Sequence, residues 1–375
     1  MLQSLYTGLT SLTNHRRALD VTAHNIANVN TEGYSKQRVN LENLFTRTDG
    51  NQEVGVGVFT QSIERMHDEM LFDRLLNSKN NYSEANEEFV HLKRVEDTLL
   101  NDGLDGNTLS DISDEFFEKV QNLSANPGDN AIKEDIRNTG NELINRGRQL
   151  NNVLNDYKTG LKDQKDLLLK EANSYLKEID KLTKGIQEVE AFNTFNTAEK
   201  VYANDLRDKR DLLESKLSEI GDFKSNELSV SEYNYTFESN GGRLQGIENS
   251  NRNIVKLQNV FNNSFGELAN KVDEFINSDM NNPNEMLQWK YDNEPSKEID
   301  NVYIGFSSKI DSLGNMASSS EAIMRSLEAK NDKLTKVDLD EELVNQMRYQ
   351  RAYEAAAKVI QTSDEILQTT LDLKK

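Results

Sequence analysis

MLQSLYTGLTSLTNHRRALDVTAHNIANVNTEGY, residues 1–34, sets Leu2, Leu5, Leu9, Leu12, Leu19 and Ile26 along one stripe, with Arg16 and Ala23 in the remaining seam places. Three-four spacing of this kind is the seam of a coiled coil. The Asn-rich run NIANVN stops the helix, and Gly33 supplies the positive φ that its exit needs. The last segment, residues 337–375, repeats the pattern through Leu343, Tyr353, Ala357, Ile360, Leu367 and Leu371, with Gln346, Gln350 and Asp364 interrupting it. Two complementary stripes therefore sit at opposite ends of one chain. Each buried polar group costs free energy unless it is paired, so a seam broken in this way is weak. The spacing leaves two arrangements open: an antiparallel pair that closes the molecule, or ends that order only when an assembly covers them.

Between the ends the pattern changes. KQRVNLENLF and VGVGVFTQSI, within residues 36–63, read as two strands of an extended hairpin around the turn-rich TRTDGNQE. Helical spacing is expected from about Glu64 to Leu100 and from Leu109 to Leu123, where Pro127 and Gly128 break the chain. The longest periodic stretch starts near Ile132 and runs past Ile186. Its stripe shifts by one position between Leu168 and Ala172, a stutter that relaxes a supercoil without ending the helix. A further helix carries Leu206, Leu213, Leu217 and Ile220. Residues 228–241 alternate like two short strands, and helical spacing returns at Ile254. Residues 280–298 read as a loop, and a final helical region opens at Ile310. The expected fold is mainly α, with a terminal coiled coil, an elongated helical bundle and small β-hairpins. The expected division is a discontinuous domain of residues 1–35 and 337–375 around a helical body of residues 36–336, with hairpins near 36–63 and 228–241.

Composition bounds the function. Apolar residues are 35% of the 375, charged residues 29%, and only 3 are proline, which favours long helices over one large spherical core. The net charge of −20 argues against a broad nucleic-acid-binding surface or an anionic membrane as partner. No cysteine is present, so disulfides, thiolate metal sites and cysteine catalysis are excluded. No run approaches the roughly 20 apolar residues of a membrane span. The first 20 residues lack the basic and apolar regions of a secretory signal, so these rules alone read as a cytoplasmic chain.

Chemistry-bearing motifs are missing. His15, His24, His67 and His91 have no partner at zinc-pair spacing, and Gly55-Val-Gly57 lacks the third glycine of a dinucleotide fingerprint. Residues 101–112 put Gly103 and Ile112 where a calcium loop needs oxygen ligands. Carboxylate pairs in so acidic a chain are accounted for by solvated helix faces. No catalytic, cofactor-binding or metal residue is assigned, and the chain is read as non-enzymatic.

ALDVTAHNIANVNTEGYSKQRVNLE, residues 18–42, resembles the N-terminal motif of bacterial flagellar rod, hook and hook-associated proteins, carried here by Asn25, Ile26, Ala27, Asn28, Asn30, Thr31, Gly33 and Tyr34. The terminal YQRAYEAAAKVIQTSDE resembles the last helix of the same superfamily. In the middle, FFEKVQNLSANPGD (116–129), NDLRDKRDLLESKLSEI (204–220) and GGRLQGIENSNRNI (241–254) are similar to hook-associated members. Only residues 221–241 and 278–300 remain for the β-rich outer domains that most relatives insert, which implies reduced versions of them.

The resemblance implies a structural subunit at the hook–filament junction of the flagellum, exported unfolded through the type III apparatus after capture by a small chaperone. This replaces the cytoplasmic reading. Implied partners are further copies in a ring or layer, the hook protein, the second junction protein, the chaperone and the export apparatus, with no cofactor, nucleic acid or membrane insertion. The twelve stripe residues of the two ends named above are the expected assembly interface. Two rivals stay open, another rod or hook subunit and a cytoplasmic coiled-coil scaffold. Residues 1–40 carry a charge of +2 and residues 337–375 a charge of −3, leaving −19 in the centre. Near-neutral ends can crowd together without strong repulsion while the acidic centre favours solubility.

Overall fold

The computed structural model describes residues 2–43, 46–49, 52–55, 57–101, 108–194, 200–229 and 232–373. Helix α1 (Leu2–Ala27) runs antiparallel to the last helix of the chain, so that Gly8 lies against Ile360, His15 against Tyr349 and Asn25 against Glu342. In this structure the two terminal stripes pack as an antiparallel pair.

After α1 the chain forms the expected hairpin. Strand β1 (Gln37–Asn43) pairs antiparallel with β4 (Val58–Arg65) through an irregularity at Asn40 and Leu41, and β2 (Thr46–Asp49) pairs with β3 (Gln52–Gly55) at the tip. Strand β4 continues to Arg65, so helix α2 (Glu69–Asn101) starts five residues later than its spacing suggested. The Asp68 carboxylate accepts the Leu71 amide and sets that start. A Thr108–Asp111 capping box opens α3 (Leu109–Ala125), and Asp129 caps α4 (Asn130–Glu190). At 61 residues α4 is about 90 Å long. It stays helical through the stutter, with Leu161, Leu168, Ala172 and Ile179 all buried. Helix α5 (Asn204–Ile220) then folds back along it.

Three expectations need correction. The second hairpin is β5 (Asp222–Ser229) with β6 (Glu232–Glu238), so its first strand begins six residues early, in a polar stretch that alternation does not reveal. Helix α6 (Gly242–Asn277) begins at Gly242 rather than Ile254, where Gly241 and Gly242 both take positive φ. Residues 280–298 are not a loop: they hold α7 (Pro283–Asn293) and the start of α8 (Pro295–Thr335), which also moves the final helical region back from Ile310. Both prolines stand in the first helical turn, where the missing N–H has no partner to lose, so they open helices and break none. Residues 278–300 therefore contain no reduced β domain. Instead Met286 is buried and Trp289 stacks on Phe117 at 6.4 Å. Lys336 and Val337 separate α8 from α9 (Leu339–Asp372), which Asp338 caps. Residues 102–107, within the expected turn after α2, lie outside the described residues.

Two apolar clusters hold the body together. One joins α3, the first half of α4, the second half of α6 and α7, around Phe116, Leu143, Phe265 and Val272. The other joins α2, the second half of α4, α5, the first half of α6 and α8, around Leu92, Ile179, Leu217, Ile254 and Leu313. No residue of α1, β1 to β4 or α9 belongs to either among the described residues. Among the described residues no helix is long and apolar enough to cross a membrane.

Candidate assembly site

The end of α1 is tied down by one side chain. Asn25, 1% exposed, donates from Nδ2 to the Gln37 carbonyl at 2.9 Å and to Glu342 Oε1 at 3.2 Å. Its Oδ1 accepts from the Tyr34 hydroxyl at 2.7 Å and from the Gln37 amide at 2.8 Å. A carboxamide offers two donors and two acceptors, and all are used here, which joins α1, its exit, β1 and α9 at one point. The exit turns through Gly33 (φ 77°), which faces the Leu212 side chain of α5. A β-carbon at Gly33 would stand 3.1 Å from Leu212 Cβ, so both conformation and space favour glycine. Burial, then the charges of Asp205, Asp208 and Glu342, raise the Tyr34 pKa and keep its hydroxyl a donor. Burial also raises the Glu342 carboxyl, against the hydrogen bond from Asn25.

A second polar cluster joins this region to α5. The Ser35 amide donates to Asp208 Oδ2 at 2.9 Å, and Arg65 Nη1 reaches Asp208 Oδ1 at 3.0 Å and also Asp211. Gln37 Nε2 and His24 both meet Asp205, and Asn204 donates to the Ile63 carbonyl at 2.9 Å. Burial lowers the basicity of Arg65, but Asp211 and Asp208 outweigh it and hold the guanidinium charged. For Asp208 burial wins and its pKa rises, although the Ser35 amide and Arg65 pull it down. Fully buried Glu190 accepts from Arg207 Nε and Nη2, each at 2.8 Å, and from the Ala203 amide, which fixes the start of α5. Spacing alone did not single out Arg65, Asp208 or Asp211. The available signal is Asp205, Asp208 and Asp211 at steps of three in NDLRDKRD, which shares a helix side among three acids.

The stripe residues are placed as follows. Leu5, Leu12, Leu19 and Ile26 are half-buried, whereas Leu9 is 51% exposed; the Leu2 side chain lies outside the described residues. On α9, Tyr353, Ala357, Ile360 and Leu367 are half-buried while Leu343 and Leu371 are exposed. The α1 positions buried best are Gly8, Asn14, Ala18, Val21, Thr22 and Asn25, a neighbouring face of small and polar residues. The hairpin accounts for this. Asn14 donates to the Val58 carbonyl and accepts from Thr60, so α1 is gripped by strands as well as by α9, and small side chains allow that approach. Leu9, Leu343 and Leu371 are thus left facing outward. Tyr6 on α1, with Leu339, Val344, Met347, Val359 and Ile366 on α9, extends the exposed apolar surface. Among the described residues no group of three or more acidic or histidine side chains is placed to hold a metal.

Comparison with known proteins agrees with this layout. Residues 92–253 match the flagellar hook-associated protein FlgK helical domain, residues 5–34 the flagella basal body rod protein family, and residues 334–373 the C-terminal family of the flagellar basal body rod proteins FlgEFG. These matches make the chain similar to the flagellar rod, hook and hook-associated superfamily. Among its members the likeness that covers the body is to hook-associated protein 1. The Bacillus subtilis protein of that name is 27% identical over 227 residues, 59% of this chain and 43% of its own length. That of Salmonella typhimurium is 24% identical over 246 residues, 64% and 43%. The flagellar hook protein FlgE of Borreliella burgdorferi is 36% identical over 85 residues, 19% of each chain. The matched part of this chain spans less than half the length of the hook-associated relatives.

Proposed function

We propose that the chain is a non-enzymatic structural subunit of the bacterial flagellum that joins hook to filament, assembled on the hook tip after type III export. The observation that carries this is the terminal helix pair, which packs together through small and polar residues and presents leucines, valines and Met347 to solvent. Exposed apolar surface on this scale on a free chain marks a face meant for a partner. Further copies in a ring, the hook protein and the second junction protein are the partners that fit, and an export chaperone covers the face beforehand. Apolar burial contributes roughly 25 cal/mol per Å², so a few leucines per subunit repeated around a closed ring give stable assembly. In this reading residues 1–35 and 337–375 form the inner assembly domain and residues 36–336 the body that stiffens the junction.

The test is assembly in cells. Leu9→Asp or Leu367→Asp in the native gene should give a soluble, secreted subunit and hooks without filaments by electron microscopy. Normal filaments from both variants would refute the interface. Loss of the whole chain should likewise leave hooks bare, whereas loss of the hook itself would mark a rod or hook subunit. Retention in the cytoplasm of a filamentless strain would favour the scaffold reading.

A further inference from the structure

Helix α9 carries a second ordered row of side chains. Its buried positions, Glu342, Ala356 and Ser363, are whole heptads apart, with Glu342 bonded to Asn25 of α1 and the Ala356 carbonyl beside Gly8. Two residues on from that series, about 200° round the helix, stand Arg351, Lys358, Glu365 and Asp372, seven apart and all exposed. This row points away from α1. One step further round, Val359, Ile366 and Leu373 form a parallel apolar row, 46%, 48% and 83% exposed.

The order of the charges sets this helix apart. Residues 348–358 hold three cations and one acid, Glu354, whereas residues 359–372 hold three acids and no cation. Elsewhere charged residues pair along their own helix, as Arg325 does with Glu321 and Lys271 with Glu274. Glu354 accepts from Gln350 at 3.4 Å, and none of the four residues of the row takes part in an ion pair among the described residues. Along one helix, seven residues separate neighbours of the row by about 10 Å, too far for a direct pair.

A second copy laid against this row has few registers open to it. Parallel helices in register set like charges opposite each other at all four places. A parallel copy displaced by two heptads, about 21 Å, sets Arg351 opposite Glu365, Lys358 opposite Asp372 and Val359 opposite Leu373. An antiparallel copy also matches the charges, but it closes a two-fold pair with the bodies at opposite ends, whereas a ring or layer needs neighbours of one polarity. We propose that neighbouring copies dock through this side of α9 in parallel, displaced by two heptads, with the apolar row supplying burial and the four charges fixing the register. The inference rests on the assembly reading above and supplies its geometry.

Two measurements test it. The first reverses charge in the native gene. Arg351→Glu with Lys358→Glu should leave at least about tenfold fewer hooks bearing filaments by electron microscopy, with secretion of the subunit unchanged. Adding Glu365→Lys and Asp372→Lys to the same chain restores the pattern with signs exchanged, and should return filaments to within about twofold of the parent. A double reversal that assembles normally overturns the proposal, as does a quadruple variant as defective as the double one. The second measurement serves if the reversed chains are not secreted, and uses the lack of native cysteine. Arg351→Cys with Glu365→Cys keeps the match of Lys358 with Asp372, and its thiols lie about 21 Å apart on one helix, beyond the reach of a disulfide within the chain. Mild oxidation of isolated flagella should give a ladder of linked copies, and no ladder overturns the proposal. Arg351→Cys with Asp372→Cys should stay monomeric; dimers from it would mark the antiparallel pair and overturn the parallel register. Leu9→Asp and Leu367→Asp separate this inference from the reading beneath it. If they abolish filaments while the charge reversals assemble, the terminal face stands and the register alone falls; if they too assemble normally, the assembly reading falls and the register with it.

Discussion

Asn25 and Glu342 stand 317 positions apart in the chain and share a hydrogen bond of 3.2 Å, the amide of the first helix donating to the carboxylate of the last. That bond is one of four made by Asn25, and the others hold the exit and the first strand. Asn25→Ala strands the Tyr34 hydroxyl, the Gln37 amide and the Glu342 carboxylate in buried surroundings. The expected loss is roughly 2–4 kcal/mol in the terminal pair, read as faster hydrogen exchange at both ends with the body protected as before. Asn25→Asp should be worse than alanine, since it removes both donors and sets a second carboxylate beside Glu342. Equal exchange in parent and both variants would show that Asn25 is not the anchor.

Gly8 marks a close approach of α1 to α9. A β-carbon there would stand 2.8 Å from Ile360 Cγ1 and 3.5 Å from the Ala356 carbonyl. Gly8→Val should therefore push the helices apart and cost about 1–3 kcal/mol in the pair, seen as loss of protection in α9 alone. Retained protection in α9 would mean that the pair tolerates a wider spacing.

The sequence made some of this legible and hid the rest for identifiable reasons. Helix positions on α4 were readable because Leu143, Leu150, Leu154, Leu161 and Leu168 line one buried side of a single long helix. The long hairpin was readable because β-branched and apolar residues alternate on both sides of TRTDGNQE. Pro283 and Pro295 misled, since a proline signals a break in mid-helix and a start in the first turn, and local spacing does not say which applies. The terminal stripes showed that an apolar seam exists but not which partner covers it. In the folded chain, Asn14, Ala18 and Thr22 take the enclosed side because strands as well as α9 press on α1, a fact of tertiary packing. The Arg65 clamp was invisible because its members lie 143 and 146 residues apart.

One chemical change at two sites separates assembly from folding. Leu343 is exposed on α9, while Ile179 is fully buried in α4. Leu343→Asp should alter the stability of the free chain by no more than about 0.5 kcal/mol, because a surface position loses little. Ile179→Asp buries an unpaired charge and should cost more than about 4 kcal/mol, enough to prevent accumulation of folded protein. Thermal melting distinguishes them, and motility should fail in both. A Leu343→Asp chain that melts far below the parent would show that the exposed face serves the monomer.

The helical body should lose stability as pH rises through neutrality, and Glu214 is the chief cause. Its carboxylate accepts from the Tyr233 hydroxyl and from Ser225 at 3.1 Å, with Arg210 over the Tyr233 ring at 4.3 Å. Burial first, then the Asp211 charge, push its pKa up to about 7 from the ordinary 4.5, despite those partners. A carboxyl whose folded pKa is raised favours folding when protonated. Its contribution is full below the unfolded value near 4.5 and is lost as pH rises through about 7. His67 works the other way, since burial lowers its pKa and the folded state resists its protonation as pH falls. The comparison with Glu214→Gln isolates the carboxyl: between pH 5 and pH 8 the variant should gain on the parent by a few kcal/mol, because a tenfold change in proton affinity is worth roughly 1.4 kcal/mol. Melting curves at a series of pH values measure that difference. A parent and variant whose curves stay parallel from pH 5 to 8 would show that Glu214 remains ionised throughout, and that Arg210 and Tyr233 compensate its burial in full.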